Sequence, residues 1–265
     1  MKKSEVFFMK IGVCSDIKSA QALRTLGYDY IEYNMTSLAN MSEGDFDSFK
    51  EGMRAAALPI ETLNCFCPAE IRLSEGVNED LLSDYTKRAL SRASMIGASI
   101  AVVGSSRSRS YSDEYGSERA KEDFCRSLTI ISDIAKGYSM KVAIEPLCKR
   151  ETNLVNTLAD AYEIASRVSR ENLGYIVDLF HFDRNEEPLS DIEKYKDGLF
   201  HTHLARRNPD RRIPAMGDEK DVIDFVAALD KIGYTGRMSL EGSFHPSFDE
   251  ATQNAMMLFK NIGIK

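Results

Sequence analysis

KVAIEPLCKRETNLVNTLADAYEIASRVSRENLGYIVDLF, residues 141 to 180, reads as a strand, a helix and a second strand. KVAIEP (141 to 146) and GYIVDLF (174 to 180) are short, apolar and β-branched, while LADAYEIASRV between them is longer and amphipathic. This is the pattern of parallel strands joined by a crossover helix. Outward from it the same alternation runs to both ends. Further strands are predicted at FFMKIGVCS (7 to 15), DYIEYN (29 to 34), PIETLNCF (59 to 66), SIAVVG (99 to 104), GLFHTHL (198 to 204) and RMSLEGS (237 to 243). Helices are predicted at SAQALRTLG, LLSDYTKRALSRASMIG, KEDFCRSLTIISDIAKG and DVIDFVAALDKIG, each closed by the Gly that most readily takes a left-handed cap. Eight strand and helix pairs favour closure into a (β/α)8 TIM barrel with outer helices over an open doubly wound sheet, which stays the alternative.

Length agrees with the barrel. The 265 residues are close to the roughly 250 typical of this architecture, and no Pro/Gly-rich linker divides them, so residues 1 to 265 are predicted to form a single domain. The serine and arginine cluster GSSRSRSYSDEYGS reads as a loop after the fourth strand. With 34 basic against 41 acidic residues the formal charge is -7, which disfavours nucleic acid and anionic membranes as partners. The N-terminal apolar run is broken by Lys10, and no long apolar stretch suggests export or a membrane span. Five cysteines without paired CxxC spacing fit a reducing, cytoplasmic setting.

Parallel strands covered on both faces should be almost wholly apolar, yet the last four carry charged or imidazole groups near their carboxyl ends. The fifth ends in Glu145, the sixth carries Asp178 and then His181, the seventh carries His201 and His203, and the eighth ends in Glu241. In a barrel those ends converge on the face where catalytic groups sit. Any one of them could be a helix cap or a hydrogen-bonded core group. Together, however, they bury several like charges, each costing several kcal/mol if unpaired, and a bound cation removes that cost. Carboxylates with an imidazole suit a six-coordinate ion such as Mn2+, the first choice, with Mg2+ or Co2+ also compatible. Side chains two apart on a strand share a face, so spacing does not choose between His201 and His203.

These segments resemble the xylose isomerase-like superfamily of sugar isomerases and epimerases, most closely its ketose 3-epimerase branch, the tagatose and psicose epimerase type. IEPLCKRETNLVNT (144 to 157) is similar to that branch's fifth-strand segment, which implies Glu145 as a metal ligand and Glu151 as a substrate contact. VDLFH (177 to 181) implies Asp178 as a ligand and His181 as a substrate contact. LFHTHL followed by RRIPAMGD implies His203 as a ligand and Arg211 as the substrate-binding arginine, and SLEGS supplies Glu241 as the last ligand. Two departures stand out: Cys148 replaces a common Asn, and Arg206 or Arg207 stands where an acidic residue is usual.

The resemblance implies a metal-dependent isomerase or epimerase acting on a small-molecule sugar, a ketose or related polyol-ketone, by proton transfer through a metal-stabilised enediolate. Glu145 and Glu241 are then the acid/base pair, and a homo-oligomer is the assembly expected by analogy. An inosose-type dehydratase on the same scaffold is the alternative chemistry. An apurinic endonuclease relative and a non-catalytic sugar-binding protein are weaker readings, the former because the chain has only His181, His201, His203 and His245.

Overall fold

The computed structural model describes residues 9 to 56, 58 to 207 and 210 to 264. Within them a parallel sheet closes into a barrel in chain order: β1 Lys10–Cys14, β2 Tyr30–Asn34, β3 Ile60–Asn64, β4 Ile100–Val103, β5 Lys141–Ile144, β6 Leu173–Asp178, β7 Leu199–Leu204 and β8 Arg237–Leu240. Pairing of β8 with β1 completes the ring. The TIM barrel is therefore as predicted, and the open sheet is excluded.

The strands are buried on both faces because helices pack around them. In helix Glu79–Met95, Leu82, Tyr85, Ala89, Leu90 and Ala93 recur at the three and four residue spacing that puts one apolar stripe against the barrel. Its entry is fixed by Asn78, whose side chain accepts from the Leu81 amide. Helix Leu158–Val168 starts at the predicted residue, behind a reciprocal capping box between Thr157 and Asp160. Gly27 takes the left-handed cap after Ala20–Leu26, with φ 102°. Gly137 does not: helix Ser117–Gly137 runs through it, and the left-handed backbone falls on Ser139 instead.

Several predicted strand ends ran long. β5 stops at Ile144, so Glu145 is the first residue beyond it; β8 stops at Leu240, one residue before Glu241. β6 ends at Asp178, and His181 lies in the short helix Leu179–Arg184. Asp178 itself turns the chain, its carboxylate accepting from the amides of Phe180 and His181 as the cap of that helix. Residues 7 and 8 of the first predicted strand lie outside the described residues. Among the described residues no helix is long and apolar enough to cross a membrane.

The amino-terminal half of the barrel lumen is filled by large side chains facing small ones. Gly12 on β1 pairs with Tyr30 on β2, and a Cβ at Gly12 would stand 2.3 Å from the Tyr30 ring. That ring passes over β1, and its hydroxyl lies 2.7 Å from Ser239 Oγ on β8. Overfilling such a site costs about 1–3 kcal/mol. A Gly12→Ala variant is accordingly expected to unfold at lower urea concentration with an unchanged m-value, and a loss below about 0.5 kcal/mol would contradict this packing.

Candidate active site

Four donor atoms, one each from Glu145, Asp178, His203 and Glu241, lie within 4.8 Å of one another at the carboxyl ends of β5 to β8. His203 is the centre. Its Nδ1 lies 3.2 Å from Glu145 Oε1, 3.0 Å from Glu241 Oε2 and 3.8 Å from Asp178 Oδ2. All four are secluded: His203 is fully buried, Asp178 and Glu145 are 2% and 5% exposed, and the Glu241 side chain is 18% exposed.

So many charges in one dry space act strongly on one another. Burial, and then the neighbouring Glu241 charge, push the Glu145 carboxyl above the usual carboxylate range. Burial alone would raise Asp178 too, but the Arg211 guanidinium, His181, His203 and the His181 amide together outweigh it and hold Asp178 well below that range. Glu241 is likewise lowered against burial, by His203 and then Arg211. Burial would lower His203, yet Glu241 and Glu32 drive it well above its ordinary value.

The donor set fits a divalent cation. Two metal bonds of about 2.0–2.2 Å span at most about 4.4 Å across one ion, so these atoms need only slight closure to share it. Three carboxylates with one imidazole are borderline-hard donors, and no thiolate belongs to this cluster.

Arg211 reaches the cluster from the loop after β7, its Nη2 donating to both Asp178 Oδ2 and Glu241 Oε2. The loop is pinned where Ser243 N donates to Arg211 O at 2.7 Å and Arg206 N to Arg212 O at 2.7 Å. Arg207 points elsewhere, its Nε donating to Asp183 Oδ1 at 2.7 Å. His181 is buried, and its Nδ1 accepts from the Cys148 amide at 3.2 Å. In a neutral ring that bond places the proton on Nε2, a buried nitrogen 3.9 Å from Asp178 Oδ2 and without a hydrogen-bond partner. Glu151, 40% exposed in its side chain, stands 4.0 Å from His181 Nδ1. Glu145, Glu151, His181, Arg211 and Glu241 line one cavity of ≈ 390 Å³, joined by Cys65, Cys67 and the segment from Gly104 to Ser108. A roomier cavity of ≈ 600 Å³ lies at the opposite end of the barrel, around Lys141, Phe200 and Tyr234. That end ordinarily serves stability, since barrel sites form at the carboxyl ends of the strands.

The expected residues therefore meet, and four others prove essential to how they meet. Glu32 on β2 is wholly buried and bonds both histidines of β7, at 2.7 Å to His201 Nε2 and 3.0 Å to His203 Nε2. Asn64 Nδ2 donates to Glu241 Oε1 at 2.9 Å. Arg109 belongs to the segment read as a solvated loop, yet Ser106–Arg109 is a short helix and Arg109 is fully buried. Its guanidinium donates to the carbonyls of Val103, at 3.2 Å, and Glu145, at 2.6 Å, tying the ends of β4 and β5 together. Gly104 leaves room for the Glu145 carboxylate: a Cβ there would lie 1.8 Å from Glu145 Oε2. A polar residue in a predicted strand was the one signal open for Glu32 and Asn64, and polar neighbours in the same strands masked it; Arg109 and Gly104 carried none.

The profile of the xylose isomerase-like TIM barrel family matches residues 20 to 262. The chain belongs to that family. Within it, an inosose isomerase of Halalkalibacterium halodurans is 27% identical over 248 residues, 88% of this chain and 84% of the relative. Inosose isomerases of three Bacillus species align over about half of their own length. Among solved structures, D-psicose 3-epimerase of Clostridium cellulolyticum H10, crystallised with D-tagatose, superposes with a TM-score of 0.82 at 16% identity, covering 96% of this chain and 98% of that one. The IOLI protein with a bound zinc atom superposes at 0.73 and 22% identity, covering 96% and 98%. The isomerase class expected from the sequence is the class these family members carry.

A Gly104→Ala variant tests how tightly the site is built. It is expected to fold with the Glu145 carboxylate driven about 1 Å or more from its place, the gap between 1.8 Å and the 3.0 Å below which something must shift. A crystal structure of the variant with Glu145 unmoved contradicts this.

Proposed function

We propose that this chain is a divalent-metal-dependent sugar isomerase or epimerase, with Glu145, Asp178, His203 and Glu241 as the metal ligands and Mn2+ as the preferred ion. The observation that carries the reading is the convergence of these four donors within 4.8 Å at the catalytic end of the barrel. The relatives support it at the level of class: they include inosose isomerases, psicose epimerases are among the structural neighbours, and another such neighbour, the IOLI protein, holds zinc. They give the dehydratase alternative no support. The single imidazole in the cluster disfavours the histidine-rich, multi-metal site of an endonuclease.

A divalent ion bound here supplies electrostatic stabilisation of the negative charge that develops on a ketose when a carbon next to its carbonyl loses a proton. The remaining work falls to the protein. Glu145 and Glu241 come from strands on different sides of the site, so one can take the proton from one face of the sugar and the other return a proton to the opposite face. Removal from the carbon on the far side of the carbonyl and return to that same carbon inverts it; removal from the terminal carbon and return to the carbonyl carbon interconverts ketose and aldose. Asn64 and Arg211 orient Glu241 through its two oxygens, and Arg109 fixes the backbone at Glu145. Arg211 also offers further guanidinium donors to substrate oxygens. His181 presents Nε2–H as a donor to a sugar hydroxyl, and Glu151 accepts from another at the cavity rim. The cavity of ≈ 390 Å³ accommodates a ketose or a related polyol-ketone.

Elemental analysis of the purified protein, with a ketose panel assayed before and after chelation, tests the proposal. The expected result is about one divalent ion per chain. His203→Ala loses the ion, while Glu241→Gln lowers kcat by about 10²-fold or more with the fold intact. Chromatography of the products separates an epimer from an aldose and from a dehydrated ketone. Failure to bind Mn2+, Mg2+, Co2+ or Zn2+ when supplied, or full turnover by Glu241→Gln, overturns it.

A further inference from the structure

Glu32 offers two carboxylate oxygens to two imidazoles in a space without solvent. Oε1 lies 3.0 Å from His203 Nε2 and Oε2 lies 2.7 Å from His201 Nε2, and all three side chains have no exposed surface. The arrangement has a local cause. Glu32 stands two residues after Tyr30 on β2, so strand alternation turns it to the same inner face as the Tyr30 ring. On β7, His201 and His203 both turn inward, their rings 5.0 Å apart and edge-on at 88°, so that both Nε2 atoms converge on the one carboxylate. Thr202 between them faces the other way and donates to Arg237 O.

From these contacts we infer that Glu32 is the positioning residue of the metal site: it holds the Nε2 proton of His203 and so leaves Nδ1 as the nitrogen that binds the cation. The inference rests on the reading of His203 as a ligand. An ionised carboxylate only accepts hydrogen bonds, so both Nε2 atoms must carry protons. A ring that binds a cation is neutral and has one proton, and with that proton on Nε2 its lone pair is on Nδ1. Nδ1 is the atom that faces Glu145, Asp178 and Glu241. Glu32 is thus the outer partner that sets the tautomer and swing of a ligand imidazole.

His201 then has a defined part. It is no ligand: its Nε2 is bonded to Glu32 and its Nδ1 is buried without a partner. Its N–H satisfies the second Glu32 oxygen, which would otherwise be a buried charge lacking a donor. Ser239 Oγ, 3.4 Å from His201 Nε2, and Tyr30 behind it join this group to the floor of the barrel. The two histidines of HTHL therefore divide the labour, one facing the metal site and the other completing the support of its partner. A competing arrangement is also visible, because Cys14, Glu32 and His203 offer donor atoms within 4.8 Å of one another. In it Glu32 would itself be a ligand and the ion would sit at Nε2.

Proton-detected 15N spectra of the histidine rings decide between them, with Zn2+ as a diamagnetic probe and His203→Gln used to assign the signals. Titration calorimetry with Zn2+ runs in parallel. In the wild type the Zn2+-loaded His203 ring is expected to keep its proton on Nε2 and bind through Nδ1. Glu32→Gln offers one acceptor and one donor in place of two acceptors, so one of the two rings must move its proton to Nδ1. Zn2+ affinity is then expected to fall about 10–100-fold. Wild-type protein with zinc at Nε2 overturns the inference without recourse to a variant. So does Glu32→Gln that binds Zn2+ as tightly as wild type, or that binds it weakly with both tautomers unchanged, the mark of a merely structural role. Wild-type protein that binds no Zn2+ at all removes the metal reading first, and this inference with it.

Discussion

Charge crowding in a dry barrel mouth is the constraint on which the rest of the structure depends. Glu32, Glu145, Asp178 and Glu241 place four carboxylates around one imidazole, and three of these acids are 5% exposed or less. Ionised carboxylates in such a space cost several kcal/mol each without compensation. The surrounding features answer that cost. Arg211 lies between Asp178 and Glu241, His203 faces three acids with one nitrogen and Glu32 with the other, and Asn64 takes the remaining Glu241 oxygen. A divalent ion bound by the same donors supplies compensation of the same sign at the point where a reaction needs it.

The scaffold supports this arrangement from directly beneath. There Gly12, Tyr30 and Ser239 fill the lumen with an aromatic ring and a single hydroxyl pair. From there the His201–Glu32–His203 group rises to the site, so the floor of the barrel and its chemistry are continuous. The four donors are carried at strand ends, whose backbone is fixed by the sheet, with Arg109 adding a tie between β4 and β5. The cavity rim comes from the connecting segments: Ser105 to Ser108, Glu151 and the Arg211 loop.

The alternation of short apolar strands with amphipathic helices made the barrel legible, because covering helices impose near-continuous apolarity on each strand. The same rule exposed Glu145, Asp178, His203 and Glu241, which break it near the strand ends. It exposed His201 as well, but could not tell it from His203, since both face inward and the distinction lies in what each Nε2 and Nδ1 touches. Glu32 was not singled out. In DYIEYN it sits among tyrosines and an asparagine, where a polar residue looks ordinary. Its partners are 169 and 171 residues away. Arg109 was hidden differently: a serine and arginine cluster looks solvated, and two backbone carbonyls, invisible in a side-chain sequence, bury it. His181 was read at the right place for a cavity-lining group, although it belongs to the helix capped by Asp178 rather than to the strand before it.

The central claim is that four side chains at the ends of β5 to β8 hold one divalent ion. Anomalous diffraction from crystals soaked in Mn2+, recorded on both sides of the manganese absorption edge, locates such an ion without assuming any chemistry. The account predicts one strong peak about 2.0–2.3 Å from His203 Nδ1 and from carboxylate oxygens of Glu145, Asp178 and Glu241. No peak at this position in crystals that take up manganese elsewhere, or a peak bonded to His203 Nε2 and Glu32, would contradict it.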